Sequence, residues 1–206
     1  MITIIDYEIG NLASIRNMLR KIGYDSVISS DINDIVKADK LILPGVGSFE
    51  YGMKKLKSMS YFSLLEKRVL VDKVPILGVC LGAQLLLDSS EEGGESKGLG
   101  WISGRVIKFD EKKLSGDEKI PHMGWNRVKG LKESKLLKGL DINSRFYFVH
   151  SYHMICTNSD DMLLETNHGY SFVSGVERDN ILGVQFHPEK SHKFGMKLYD
   201  NFISNY

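Results

Sequence analysis

One of the chain's two cysteines, Cys80, stands between glycines in Gly78-Val79-Cys80-Leu81-Gly82, at the end of the apolar run VPILGVC. The form is G-x-C-x-G, the cysteine version of a nucleophile elbow, in which the reactive residue sits on a sharp strand-to-helix turn. Such a turn forces an unusual backbone at the nucleophile. The flanking glycines leave room for it and for the helix to pack on the sheet. The sulfur is then exposed at the carboxyl end of a strand, where open parallel sheets place ligands. It also lies at the N-terminus of LGAQLLLD, read as a helix whose partial positive charge favours thiolate over thiol. The pentapeptide is short, and a small buried cysteine in a core strand would carry the same local sequence.

A thiolate nucleophile needs a base, and the base needs a group to orient it. Among His122, His150, His153, His168, His187 and His192, the context of His187 stands out: ILGVQFH runs a hydrophobic strand straight into His187-Pro188-Glu189. Pro188 ends strand pairing and stiffens the turn. Glu189, two residues on, reaches the imidazole from the far side along an extended chain. Cys80, His187 and Glu189 therefore have the logic of nucleophile, base and orienter. Standing alone, HPE is more commonly a strand-terminal turn with a solvated carboxylate. Pro188 breaks the helix that an H-E-x-x-H metal site requires, and no phosphate-binding glycine pattern occurs in the chain. LPGVGSF (43–49) follows a strand and should lie on the same edge as Cys80. Its glycines allow a peptide N–H to turn inward, where with the N–H of Leu81 it forms an oxyanion hole. Cys156 has no elbow and reads as structural.

These residues need a scaffold, and the pattern supplies one. ITIID, YDSVIS, KLILPGVG and VPILGVC read as strands. Between them GNLASIRNMLRKIG, DINDIVKA, SFEYGMKKLKSM and YFSLLEKRVLV have helical spacing, with Asn11 and Asp31 at N-cap positions. Alternating strands and helices predict an α/β fold, an open, mostly parallel sheet flanked by helices. Beyond Gly94, WISGRVIKF, HMGWNRVK, RFYFVHSY, MLLETNH, YSFVSGVE and ILGVQFH are strand-like and predict added antiparallel strands in the C-terminal half. SHKFGMKLYDNFISNY reads as a closing amphipathic helix, and SSEEGGESKG as a mobile surface loop. No linker divides the chain, so residues 1–206 are expected to form a single domain.

Twenty-seven basic and 26 acidic residues leave a net charge of +1, which gives no general attraction to nucleic acid or anionic membrane. No secretory signal or membrane span is expected, and two cysteines make no disulfide framework, so a reducing cytoplasm is the simplest home.

Together, PGVGSF, GVCLGAQ, GLGWISG, PHMGWN, FVHSY and GVQFHPEKS resemble the triad-type glutamine amidotransferases. Within them the chain is most similar to the glutaminase subunits of imidazole glycerol phosphate synthases, from DYEIGNLAS to the last helix. The resemblance implies that Cys80 is the nucleophile, His187 the base and Glu189 the orienter. It implies oxyanion contacts near Val46, Gly47 and Leu81, and glutamine contacts at Gln84, Ser151 and Tyr152. Asn11, Trp125, Asn126 and Lys190 would face a (β/α)8-barrel synthase subunit that consumes the ammonia in histidine biosynthesis. No metal or organic cofactor is required. The chain departs from the family pattern at Glu8, Ala13, Ala83 and His153, none of them in the triad. The alternatives are a paralogue feeding another synthase, such as a sugar amidotransferase, a non-catalytic binding module, or a cysteine hydrolase of γ-glutamyl peptides.

Overall fold

The computed structural model describes residues 1–114 and 118–206. Its first half follows the strand–helix alternation: β1 (Ile2–Ile5), α1 (Leu12–Lys21), β2 (Ser26–Ser29), α2 (Ile32–Lys37), β3 (Lys40–Leu43), α3 (Phe49–Ser58), α4 (Phe62–Leu70), β4 (Ile76–Val79) and α5 (Leu81–Leu85). All four residues of β1 and of β4 are buried. Strands covered on both faces are those of a parallel sheet between helical layers, and β2, β1, β3 and β4 pair in that order, all parallel. Side chains alternate across it: Ile5, Leu41, Leu43 and Ile76 enter one core, while Ile4, Ile42, Leu77 and Val79 enter the other. Asp31 caps α2 through the N–H of Asn33, at 2.7 Å. Asn11 occupies the N-cap position of α1 but makes no capping bond, and its side chain stays exposed.

The second half continues with β5 (Leu87–Ser90), β6 (Ser96–Lys97), β7 (Ile102–Lys108), β8 (His122–Arg127), β9 (Lys129–Gly130), β10 (Arg145–His150), β11 (Tyr152–Cys156), β12 (Met162–His168), β13 (Tyr170–Arg178), β14 (Ile181–Val184) and the closing helix α6 (His192–Asn205). β14 returns to pair parallel with β4, so β4 lies between β3 and β14. Past β14 the sheet turns antiparallel through β13, β11 and β7, as expected. β8 and β10 form a separate antiparallel ribbon.

Three expectations fail. LGAQLLLD is helical only to Leu85, because Leu87 already pairs with β7, and the helix behind Cys80 is correspondingly short. SSEEGGESKG is no free loop: Ser89 and Ser90 pair with Lys97 and Ser96, and the Glu92 carboxylate accepts the N–H of Phe49 at 2.9 Å. RFYFVHSY is two strands, since the chain leaves the ribbon at Ser151 and enters the main sheet at Tyr152. Among the described residues, no helix is long and apolar enough to cross a membrane.

Candidate active site

Three adjacent parallel strands, β3, β4 and β14, end on one edge, and each delivers part of the site just beyond its last residue. At the end of β4 the chain turns at Cys80 with φ +55° and ψ −111°, a conformation that a non-glycine side chain adopts only under strain. The turn is held from both sides. The Cys80 N–H donates to the Val184 carbonyl at 2.8 Å, and its own carbonyl accepts the N–H of Ala83 at 3.0 Å. The flanking glycines are there for space. A Cβ at Gly82 would lie 1.9 Å from the Leu43 carbonyl oxygen, and one at Gly78 would lie 2.7 Å from that of Gly82.

From β14 the chain reaches His187, whose N–H donates to the Tyr147 carbonyl at 2.9 Å. Pro188 then starts a single 3-10 turn, Pro188–Lys190, in place of the extended link expected. The turn folds the Glu189 carboxylate back until Oε1 lies 2.7 Å from His187 Nδ1. Both side chains are almost wholly buried. Burial by itself lowers the imidazole pKa, but hydrogen bonds to Cys80 and then to Glu189 outweigh it and push the pKa up to about 10. His187 therefore holds its proton at neutral pH. Cys156 is different: burial raises its thiol to about 11, so it stays protonated and unreactive.

Beyond β3, the 44–47 loop arrives next to Cys80. Val46, Gly47, Cys80, Leu81, Gln84, Ser151, Tyr152 and His187 line one cavity of 390 Å³, with Glu189 behind His187. Sequence reasoning missed five residues there: Glu92, Pro121, Val149 and His150 line the same cavity, and Gln185 lies beneath it. Gln185 is wholly buried; its Nε2 points at Cys80 Sγ, 3.9 Å away, and its Oε1 accepts from Gln84 Nε2 at 3.0 Å. A lone amide in the apolar strand ILGVQFH was the available signal. Glu92 lies in SSEEGGESKG, whose polar, glycine-rich composition reads as loop.

Ala83 and His153, which depart from the family pattern, are buried and do not line the cavity. Glu8, another departure, has φ +68°, which explains why glycine suits that position, and its carboxylate pairs with Lys55.

The residues expected to face a partner lie outside the cavity. Trp125 is 43% exposed, stacked on His192 with ring centroids 5.5 Å apart. Lys190 is exposed, with Nζ over the Tyr147 ring. Asn126 departs from the expected grouping, because strand alternation turns its side chain away from Trp125. Its amide group donates to His122 and to the Asn167 carbonyl, and its oxygen accepts the N–H of Arg127.

A cysteine on a strained strand-to-helix turn, a buried histidine–carboxylate pair and a cavity between parallel strand ends form the arrangement that thiol-dependent acyl transfer on an open α/β sheet requires. Residues 3–205 match the class-I glutamine amidotransferase family model, and the chain belongs to that family. It is 56% identical over 203 residues to a Methanococcus maripaludis protein named imidazole glycerol phosphate synthase subunit HisH 2, covering 98% of each chain. It is 49% identical over 203 residues, again covering 98% of each, to a Pseudomonas aeruginosa protein of the same name. The fold is shared with the solved structure of PurLQS from Thermotoga maritima, at TM-score 0.72 and 15% identity, covering 98% of this chain and 96% of that one.

Proposed function

We propose that this chain is the glutaminase subunit of an imidazole glycerol phosphate synthase. It would hydrolyse glutamine to glutamate and ammonia and pass the ammonia to a (β/α)8-barrel subunit in histidine biosynthesis. The observation that carries the reading is the buried His187–Glu189 pair beside the strained Cys80 at the floor of one cavity. The HisH names of the relatives favour this acceptor over a sugar-amidating paralogue.

The chemistry follows from the protonated imidazole. The Cys80 thiolate attacks the side-chain amide carbon of glutamine, and the carbonyl oxygen becomes an oxyanion facing the peptide N–H groups near Val46, Gly47 and Leu81. His187 gives its proton to the amide nitrogen, the C–N bond breaks, and ammonia leaves a γ-glutamyl thioester on Cys80. Acylation removes the thiolate, whose hydrogen bond is the largest influence raising the imidazole pKa. His187, now neutral, takes a proton from water as the hydroxyl oxygen attacks the thioester. The C–S bond breaks, glutamate departs and the thiolate returns. Glu189 keeps one imidazole nitrogen occupied throughout, so the other faces the reacting atoms. Gln84, Ser151 and Tyr152 form the cavity wall that receives the glutamine main chain. Glu92 supplies a carboxylate for its ammonium group.

The reading takes residues 1–206 as one amidotransferase domain working in the cytoplasm, where thiols stay reduced, as a heterodimer with the barrel subunit. The test is glutamate and ammonia production from glutamine by the purified chain mixed with that subunit. The expected result is turnover that vanishes in Cys80→Ala. Turnover retained in that variant, or its absence in the parent complex, overturns the reading.

A further inference from the structure

The cavity wall is connected to the outer ribbon by a chain of polar groups, His122 and His150 buried and Asn126 half-buried, that the proposed chemistry does not use. Its outer end is Asn126, whose orientation is forced: its NH2 group meets the Asn167 carbonyl at 2.8 Å, and its oxygen accepts the Arg127 N–H at 2.8 Å. The same NH2 group lies 3.1 Å from His122 Nε2, so that nitrogen is an acceptor. His122 Nδ1 lies 3.0 Å from His150 Nε2. His150 Nδ1 lies 2.8 Å from the Tyr152 carbonyl, which has no hydrogen to give. His150 Nδ1 must therefore carry a proton, and a neutral His150 must accept at Nε2. His122 must then donate from Nδ1 and accept at Nε2. Read from either end, every hydrogen runs the same way.

Both rings are neutral, because burial holds His150 well below the usual imidazole range and His122 at about 4. Phe109 and Phe172 pack against both rings, and neither offers a polar partner to an unpaired nitrogen. At the inner end, the Tyr152 carbonyl also accepts from Gln84 Nε2 at 3.0 Å, and Gln84 in turn donates to Gln185, which points at Cys80.

We propose that Asn126 and His122 are positioning residues for the glutamine cavity: through His150 they hold the Tyr152 carbonyl, and with it the Gln84 amide, where the substrate must bind. The proposal rests on the glutaminase reading for the identity of the substrate. A one-way chain fixes the wall more firmly than isolated bonds, because reversing any link leaves two acceptors or two donors face to face in a buried site.

Two measurements test it. Long-range proton–nitrogen NMR spectra of the intact chain should show both His122 and His150 as neutral rings protonated at Nδ1. Protonation of either at Nε2 overturns the relay whatever the kinetics show. In Asn126→Leu and His122→Phe, alkylation of Cys80 by a diazoketone analogue of glutamine should slow by about tenfold, on the order of one buried hydrogen bond. Alkylation by iodoacetamide, which needs no substrate pocket, should keep its rate. Equal rates for the diazoketone in parent and variants, or a parallel fall with both reagents, overturn the positioning role. A parent chain that reacts with iodoacetamide but ignores the diazoketone overturns the glutaminase reading instead, and the ring spectra still decide the relay.

Discussion

Cys80 and Cys156 are the same side chain in opposite settings. Cys80 sits on a strained turn with a protonated imidazole beside it, whereas burial keeps Cys156 a thiol, with a pKa near 11. A glutamine-like electrophile should therefore label Cys80 alone, as read by peptide mapping; labelling centred on Cys156 would remove Cys80 from the nucleophile's place. The neighbouring pair makes a second prediction with a definite sign. A free imidazole titrates near about 6.5, and His187 in the folded chain titrates at about 10. A raised folded-state pKa stabilises the fold fully below the free value and loses that contribution as pH climbs through the folded value. Stability in urea should fall between pH 7 and pH 10 in the parent. In Glu189→Gln, which loses one of the influences holding the proton on, it should fall less. Identical pH dependence in both would separate Glu189 from the titration of His187.

At the scale of elements, the elbow is a packing problem as well as a chemical one. A Cβ at Gly82 would collide with the Leu43 backbone, which belongs to β3 and cannot rotate away. Gly82→Ala should cost about 3 kcal/mol or more, as overpacking at a backbone does, lowering the thermal midpoint by roughly 10 °C. Gly47 offers the contrast. Its φ is +100° and nothing lies within 4 Å of its missing Cβ. Gly47→Ala should strain only the backbone, at about 1 kcal/mol, and lose glutamine turnover before it loses the fold. Comparable midpoints for the two variants would sink the distinction. The same elements show what a sequence can carry. β3, β4 and β14 are legible because each is a short apolar run, and the residues that build the site follow directly: Pro44 to Gly47 after β3, Cys80 after β4 and Gln185 to His187 after β14. The β5–β6 hairpin is not, because serine, glutamate and glycine look alike in a loop and in an exposed two-stranded edge. Nor is the break at Ser151, because Arg145–His150 and Tyr152–Cys156 are both β-rich and only tertiary pairing divides them. Trp125 and Asn126 share one motif, but the period of a strand sets them on opposite faces.

For the whole molecule, the proposed docking face would have to extend over the cavity mouth to pass ammonia without loss to water. Val46 is 46% exposed at the rim while Cys80 below it is 7% exposed, so a subunit seated there would cover the loop that carries the proposed oxyanion donors. The isolated chain should hydrolyse glutamine slowly, and the liganded barrel subunit should speed it by about 100- to 1,000-fold, the value of one such donor; full activity from the lone chain would refute this. The affinity of that contact should reside in the aromatic part of the face. Trp125, beside Met123 at 65% exposure, presents a large ring braced by His192 on one side and by the Arg145 guanidinium at 5.8 Å. A braced ring loses little freedom on docking, and buried interface tryptophans typically cost about 2 kcal/mol or more when truncated. Lys190 extends from the turn after Glu189, and its charge, still in contact with water, acts mainly on association rate and its salt dependence. Trp125→Ala should therefore weaken binding to the barrel subunit by roughly 30-fold, and Lys190→Ala by much less. Because Trp125 is exposed in the free chain, its loss should leave the melting temperature almost unchanged. Titration calorimetry with the purified barrel subunit, run beside thermal melts, decides between interface and core. Unchanged affinity in Trp125→Ala would move the docking site elsewhere, and a collapsed melting temperature would make Trp125 a support of the β8–β10 ribbon rather than an anchor for a partner.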